Sequence, residues 1–593
     1  MSASAAGGHD TPVRAPSDEI ACRNLRWCLA LLDGLEAAGM RDLVISPGSR
    51  STPVVLAAQR RPLVRITPIL DERSAAFFAL GLARAGGGPV ALLATSGSAP
   101  THWYPAVVEA SECSTALVLL SADRPPRLRG FGANQTIDQT RLFGAFTRES
   151  HDPGLPDDRP MALKAIRGLG LRVGQVSRGP RPGPVQINLP FDEPLVPSGD
   201  CGLAPAAPPA AGYAPRSDAP IMPLDTSVQA LMRDWPAGRG IIVCGPGAEA
   251  PGLAEALDRH GRRLGLPVLA DPLSGLRLGA ATGARINTYD TLLRNPPAAS
   301  RLRPDWVLRI GRPAVSKRLG EWLTGIPTLL IDPGGGWSDP SHDLIGRLSA
   351  APTAVIDALP RAAAIQPQPD WLDRWRQADE RTQTLLEGHL AVSPWCEGHL
   401  IRRLLERLPV GDALLCANSL PIRQLDTWAS QRHAALPVFG NRGASGIDGQ
   451  LSTLAGINAA GQPCWGLLGD LSFCHDLSGL LLAEDLKRPI IVINNGGGRI
   501  FDYLPQHGLP DFERMWRTPV TPDLAVLANA FGLAHQRVMD AAGFDQALDA
   551  ARSVTDPETE APLIEVVIDA DLSRRVHQDL WRQVAASHEI NAS

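Results

Sequence analysis

The sequence predicts an α/β protein made of three doubly wound, parallel-sheet units. Three observations carry this: short apolar runs that end in small or turn-forming residues, helical patterns between them, and two Pro/Ala-rich breaks dividing the 593-residue chain. A chain of this length does not close around one core, so several domains are expected on length alone.

The opening "MSASAAGGHDTPVRAPSDEI" lacks an apolar core, so it is no secretory signal, and 1–20 are expected to form a disordered leader. Across 21–196, "DLVISPG", "PVALLATSGS", "ALVLLSADRP" and "GPVQINLP" are predicted strands, with helices over Ser74 to Arg84 and Tyr104 to Glu112; "VRITPIL" is also strand-like. The stretch 197–218, "PSGDCGLAPAAPPAAGYAPRSD", is a linker by composition. Over 219–362 the rhythm returns in "GIIVCGPG", "PVLAD", "WVLRIG" and "TLLID", and "AAAIQPQPDW" interrupts it near 365. The third unit, 363–593, carries "DALLCANS", "PVFGNRG", "CWGLLGD" and "PIIVINNGGG". Their common rhythm is compatible with three copies of one ancestral unit.

Hydrophobic residues make up 44% of the chain and charged residues 20%, an ordinary globular balance. A net charge of −5 offers no basis for binding nucleic acid or an anionic membrane. No apolar run approaches the roughly 18 residues of a membrane span. The nine cysteines are scattered singly, without a CxxC, and their odd number argues against a disulfide framework. They are expected to be small buried hydrophobes in a reducing cytoplasm.

Two stretches carry chemistry. In "GDLSFCHDLSGLLLAEDLKRPIIVINNGGG", Gly469-Asp470 closes one predicted strand and Asn494-Asn495 the next, which puts both on the carboxyl edge of a parallel sheet. The Asp470 carboxylate, the Asn495 amide oxygen and a carbonyl about two residues later, at Gly497, make a hard-oxygen set suited to Mg²⁺ (or Mn²⁺) on a diphosphate. Glycines 496–498 let the backbone approach phosphate. The same dipeptides are also common strand-end turns. In "ITPILDERSAAFFALGLARA", Asp71, Glu72 and Arg73 stand at the mouth of a helix that is apolar on nearly every face. The two carboxylates either complement the helix dipole or provide a desolvated acid–base group.

The Gly-Asp to Asn-Asn spacing is similar to the diphosphate motif of thiamine-diphosphate enzymes, which contain a pyrimidine-binding, a central and a diphosphate-binding domain. Longer stretches narrow the likeness: "VISPGSRSTPVVLAA", "DERSAAFFALGLARA", "TSGSAPTHWYPAVVEA", "SADRPPRLRGFGANQTIDQ", "NRGASGIDGQLSTLAG" and "GDLSF…NNGGGRIF". They resemble the branch that joins 2-oxoglutarate to isochorismate, with loss of CO2, in menaquinone biosynthesis. Residues 219 to 360 resemble it only loosely. The third motif position, usually Gly, is Leu471 here, the form expected in that branch.

The resemblance implies specific roles. Glu72 would hydrogen-bond the cofactor's aminopyrimidine and so generate the base that deprotonates the thiazolium. Asp470, Asn495 and Gly497 would hold the metal. Ser445, Gly469, Leu471 and Ser472 would contact the cofactor, with Ile447 as the wedge that bends it. Both substrates are dicarboxylates, which arginine forks suit. Ser49, Arg50, Asn134 and Gln135 would line the substrate pocket from the first unit, Ser419, Arg423 and Arg442 from the third, and Lys317 and Arg318 from the central one. Ile500, Phe501 and Leu504 would form an apolar wall that excludes water. Glu72, Arg50, Gln135, Arg423 and Arg442 are the implied catalytic set, while Arg124 is read as half structural and His102 and His475 as structural. The resemblance further implies a cytoplasmic homodimer or homotetramer with its sites at subunit interfaces. Another thiamine-diphosphate enzyme, such as an acetohydroxyacid synthase or a 2-oxoacid decarboxylase, and a catalytically silent ligand-binding homologue are the alternatives. The absence of a His-His pair favours carbon–carbon ligation over simple decarboxylation.

Overall fold

Three six-stranded sheets, every paired strand parallel, account for the apolar runs. The computed structural model describes residues 16–203, 233, 235–279, 283–361, 365–429, 432, 434–519, 522–553 and 562–588. The first sheet comprises β1 (Asp42–Ile45), β2 (Arg65–Pro68), β3 (Val90–Ala94), β4 (Leu117–Asp123), β5 (Ser150–His151) and β6 (Val185–Pro190). The middle one has β7 (Gly240–Cys244), β8 (Val268–Ala270), β9 (Arg285–Ile286), β10 (Trp306–Ile310), β11 (Thr328–Ile331) and β12 (Leu344–Leu348). The third has β13 (Ala413–Cys416), β14 (Val438–Phe439), β15 (Cys464–Gly469), β16 (Ile490–Asn494), β17 (His535–Val538) and β18 (Leu563–Val567).

The first sheet runs β2-β1-β3-β4-β6-β5 and the third β14-β13-β15-β16-β18-β17, the same order in each unit's own count. The middle sheet runs β12-β11-β10-β7-β8-β9. The rhythm common to all three units is therefore not a common topology: the outer two match and the middle one is wound differently. Strands β3, β4 and β6 are buried along their whole length, as sheets covered on both faces require.

The helix Glu72–Gly86 buries all ten residues from Ser74 to Ala83. It crosses the third unit's helix Gln450–Ala459, also buried nearly throughout, at two glycines. A Cβ on Gly81 would lie 2.1 Å from the Thr453 carbonyl oxygen, and one on Gly456 would lie 2.0 Å from that of Phe78. Backbone meets backbone here, so neither neighbour can swing aside. Gly81→Ala or Gly456→Ala is expected to cost about 2 kcal/mol or more through overpacking, seen as a lower Tm. Gly388→Ala, with open space around the added carbon, is the control expected not to destabilise.

Two expectations are corrected. The helix Pro16–Ala37, with Asp18 and Glu19 in its first turn, takes up the last residues assigned to the leader; residues 1–15 and most of the linker lie outside the described residues. Cys22 and Cys201 form a disulfide, although single thiols were expected. They stand 179 residues apart, and the first helix and the segment leaving β6 bring their Cα atoms to 5.3 Å, a proximity that sequence spacing does not reveal. Seven cysteines stay free, five of them buried. Among the described residues no helix is long and apolar enough to cross a membrane.

Candidate active site

Strands β15 and β16 lie side by side, and the chain leaves both at the same edge of the third sheet. Asp470, the first residue after β15, is 3% exposed. Its Oδ1 accepts from the Leu471 amide at 2.7 Å, and its Oδ2 accepts from the amides of Asn495 at 3.2 Å and Gly497 at 2.8 Å. Burial pushes the carboxyl above its usual range, against the pull of these amides. The carboxylate thus fixes the turn that follows β16. Gly496 and Gly497 have φ of +81° and +105°, the left-handed region that glycine alone enters freely. A Cβ on Gly497 would lie 2.6 Å from the Arg517 carbonyl, so these glycines also make room for the chain at 516–518.

A cavity of ≈ 180 Å³ opens on this turn. Asp470, Ser472, Asn495 and Gly497 form its polar part, and Ile447, Ile500 and Phe501 are apolar walls. Gly469 and Leu471 also line it; Leu504 does not. Ser419, at φ +70°, precedes the helix Leu420–Trp428, whose first turn faces the same space. A helix N-terminus beside a hard-oxygen set suits an anion bridged to a divalent cation. No cluster of three His, Cys, Asp or Glu occurs among the described residues. A cation here would therefore combine one carboxylate with the Asn495 amide oxygen, the Gly497 carbonyl and oxygens of its ligand. The residues present fit a diphosphate carried by Mg²⁺.

Arg499 lines the cavity and donates to the Asn495 carbonyl at 3.0 Å, while Arg442 and Arg423 do not line it but bond to residues that do. Arg442 donates to Asn418 Oδ1 at 3.1 Å, and Arg423 donates to the Ser419 carbonyl at 2.5 Å. Burial lowers the pKa of both, and for Arg423 the nearby Arg442 charge lowers it further. Two mutually repelling guanidiniums beside one cavity favour a ligand with carboxylates. Ser445 is exposed at φ +65°.

The first unit holds a second group around the carboxyl ends of β1, β3 and β4. Arg50, 7% exposed, donates to the Phe191 carbonyl at 3.0 Å and to Glu193 at 2.6 Å; its Nε is buried without a partner among the described residues. Gln135, at φ +54°, donates to the Ser96 carbonyl at 2.9 Å, and Arg124 donates to the Gln135 carbonyl at 3.1 Å and to Ser96 Oγ. Burial, then the Arg50 charge, lowers the pKa of Arg124, so the two cations are close neighbours. Ser49 and Asn134 are exposed beside them.

The carboxylate pair divides its labour. Asp71 caps the helix, accepting from the amides of Arg73 at 2.8 Å and Ser74 at 3.2 Å. Glu72 is half-buried and has no hydrogen-bond or ion-pair partner among the described residues. Neither it nor any other residue of the first unit lines the third unit's cavity. Lys317 and Arg318 also stay away from it: they pair with Glu321 at 3.5 and 4.0 Å on the surface. His102 and His475 are exposed.

Residues 29–142 match the family model described as "Thiamine pyrophosphate enzyme, N-terminal TPP binding domain", and residues 220–416 match "Middle domain of thiamine pyrophosphate". The 2-succinyl-5-enolpyruvyl-6-hydroxy-3-cyclohexene-1-carboxylate synthase of Geobacillus kaustophilus is 40% identical over 572 residues, covering 94% of this chain and 97% of its own. Synthases of the same name from Geobacillus thermodenitrificans and Dechloromonas aromatica are also 40% identical, covering 86% and 87% of this chain and 88% and 94% of theirs. The chain belongs to this synthase family.

Membership extends to the central unit, where the sequence likeness had looked loose. Beside the expected positions, the structure adds four polar or charged residues to the cavity that sequence reasoning passed over, one of them Arg499. Asn418, one place before Ser419, lines the cavity and holds Arg442. Glu397, buried and bonded by Ser573 Oγ, and Gln424, which accepts from Trp428 Nε1 at 2.9 Å, line it too. Of these last three, only Asn418 had a usable signal, its place at the end of a predicted strand.

Proposed function

We propose that the chain decarboxylates 2-oxoglutarate and adds the succinyl unit to isochorismate, releasing CO2, as a thiamine-diphosphate- and Mg²⁺- (or Mn²⁺-) dependent transferase of menaquinone biosynthesis. The product is 2-succinyl-5-enolpyruvyl-6-hydroxy-3-cyclohexene-1-carboxylate, the compound in the relatives' name. The observation that carries the reading is the cavity where Asp470, Asn495 and Gly497 converge, with Arg442 and Arg423 just behind it, bonded to the lining residues Asn418 and Ser419.

When bound, thiamine diphosphate supplies the carbon nucleophile and the electron sink for decarboxylation. Asp470, Asn495 and Gly497 would hold the metal and the diphosphate. Ile447 would pack against the cofactor, and Ile500 and Phe501 would keep water from the reacting carbon. Arg423 and Arg442 take substrate carboxylates. Arg50, Arg124 and Gln135 serve the same end from the first unit. Glu72, without a partner among the described residues, would hold or release a proton at the aminopyrimidine ring. Because no first-unit residue reaches the cavity, we infer that a second copy brings Glu72 and Arg50 to it, in a dimer or tetramer acting in the cytoplasm.

The test follows CO2 from 2-oxoglutarate, with cofactor and Mg²⁺, in the presence and absence of isochorismate. Release that depends on isochorismate and matches its consumption is expected. Equal release without isochorismate would refute the synthase reading and favour a plain decarboxylase.

A further inference from the structure

We propose that Glu109 is a positioning residue that sets the loop 440–447, and through it Arg442 and Ile447, in their working places. The inference rests on the synthase reading only for the roles of those two residues.

All three units grip this loop. Arg84, from the first, donates to the Gly440 carbonyl at 2.9 Å. Arg312, from the middle, donates to the Arg442 carbonyl and the Glu112 carbonyl, both at 3.2 Å. Asn418, from the third, donates to the carbonyls of Asn441 and Gly446 at 2.6 Å each. These contacts serve the loop's carbonyls. Glu109 does the reverse: its two carboxylate oxygens accept from consecutive amides, Gly443 and Ala444, both at 2.7 Å.

Its placement is costly unless used. Glu109 is 3% exposed and sits in the last turn of the helix Tyr104–Glu112, where the helix dipole opposes a negative charge. A buried carboxylate there is compensated by charge-assisted bonds such as these two. The fit also leaves no slack: a Cβ on Gly443 would lie 2.7 Å from the Glu109 carbonyl oxygen and 2.9 Å from the Cys113 nitrogen. The clamp falls between the substrate cation at 442 and the cofactor wedge at 447. The positive φ of Ser445 turns the chain from one to the other. A loop freed here would let both side chains drift, and misplacement by about 1 Å costs up to about 100-fold in rate.

Glu109→Gln is the decisive variant. It preserves size and one acceptor but sets an NH2 group against the second amide, donor against donor. In the holoenzyme, KM for the dicarboxylate substrates is expected to rise about tenfold or more. Thiamine diphosphate affinity by calorimetry should fall far less than in Asp470→Ala, because the wedge at Ile447 is disturbed while the diphosphate grip at Asp470 does not touch Glu109. Hydrogen exchange of the full-length chain should speed up in the 440–447 peptide and not elsewhere. Unchanged KM with unchanged exchange overturns the proposal. So does a uniform loss of Tm, cofactor affinity and exchange protection across the interface of the first and third units, which marks a general domain contact. If the wild-type chain turns over neither substrate, the functional reading fails, and the exchange result alone still decides whether Glu109 clamps the loop.

Discussion

Glu72→Gln is expected to lower kcat by about a thousandfold and to leave the fold intact. Most buried-helix carboxylates are spent on structure, and substituting them confounds stability with activity. Here the two tasks are separated between neighbours: Asp71 accepts both amide bonds of the helix cap, and Glu72 has no partner within the described chain. Removing the Glu72 charge therefore breaks no internal bond. Glutamine keeps the shape but cannot exchange a proton, so a group that only fills space would tolerate it. The check pairs steady-state kinetics with a thermal melt. Near-normal turnover ends the catalytic assignment, and a large drop in Tm shows that the residue is structural after all.

Asp470→Ala is expected to behave differently, because this carboxylate serves the fold and, in the proposed function, the cation. Its oxygens are the acceptors for the amides of Leu471, Asn495 and Gly497, and losing them leaves three donors without an acceptor, that of Gly497 in a buried bond and the other two in part-buried ones. Each buried donor left unmet costs on the order of 1–3 kcal/mol, so Tm should fall. The same change removes the only carboxylate from the proposed oxygen set. Mg²⁺-dependent affinity for thiamine diphosphate should then drop by about 100-fold or more, read by calorimetry at several Mg²⁺ concentrations. Retained affinity with a normal Mg²⁺ dependence would move the cation elsewhere.

The contrast shows what the sequence made legible. Strands such as β4 and β15 announced themselves because both faces are buried and every position except the closing Asp123 of β4 is apolar or small. β5 and β9 have two residues each and leave no pattern. β12 has no fully buried position, and β17 is polar. β18 is interrupted by a buried acid, Glu565, which accepts from Asn494 at 2.6 Å and pairs with His535 at 2.9 Å. That contact also separates the two asparagines of the motif: Asn494 anchors the strand, while Asn495 faces the cavity. That Asp470, Asn495 and Gly497 meet in one cavity could be read in advance because they lie within 28 residues on one βαβ unit. The neighbourhood of Arg50 and Arg124, and the hold of Asn418 on Arg442, arise where distant segments meet, and no local pattern encodes them.

The bridge between Cys22 and Cys201 turns the N-terminal unit into a covalent ring whose entry and exit are pinned together. Tension arriving along the backbone from the middle of the molecule is then borne by sulfur, and the ladder of β6 is spared from being peeled open. The arginine cluster anchored on Phe191 and Glu193, just upstream of that clasp, is shielded from mechanical tugging by the rest of the chain.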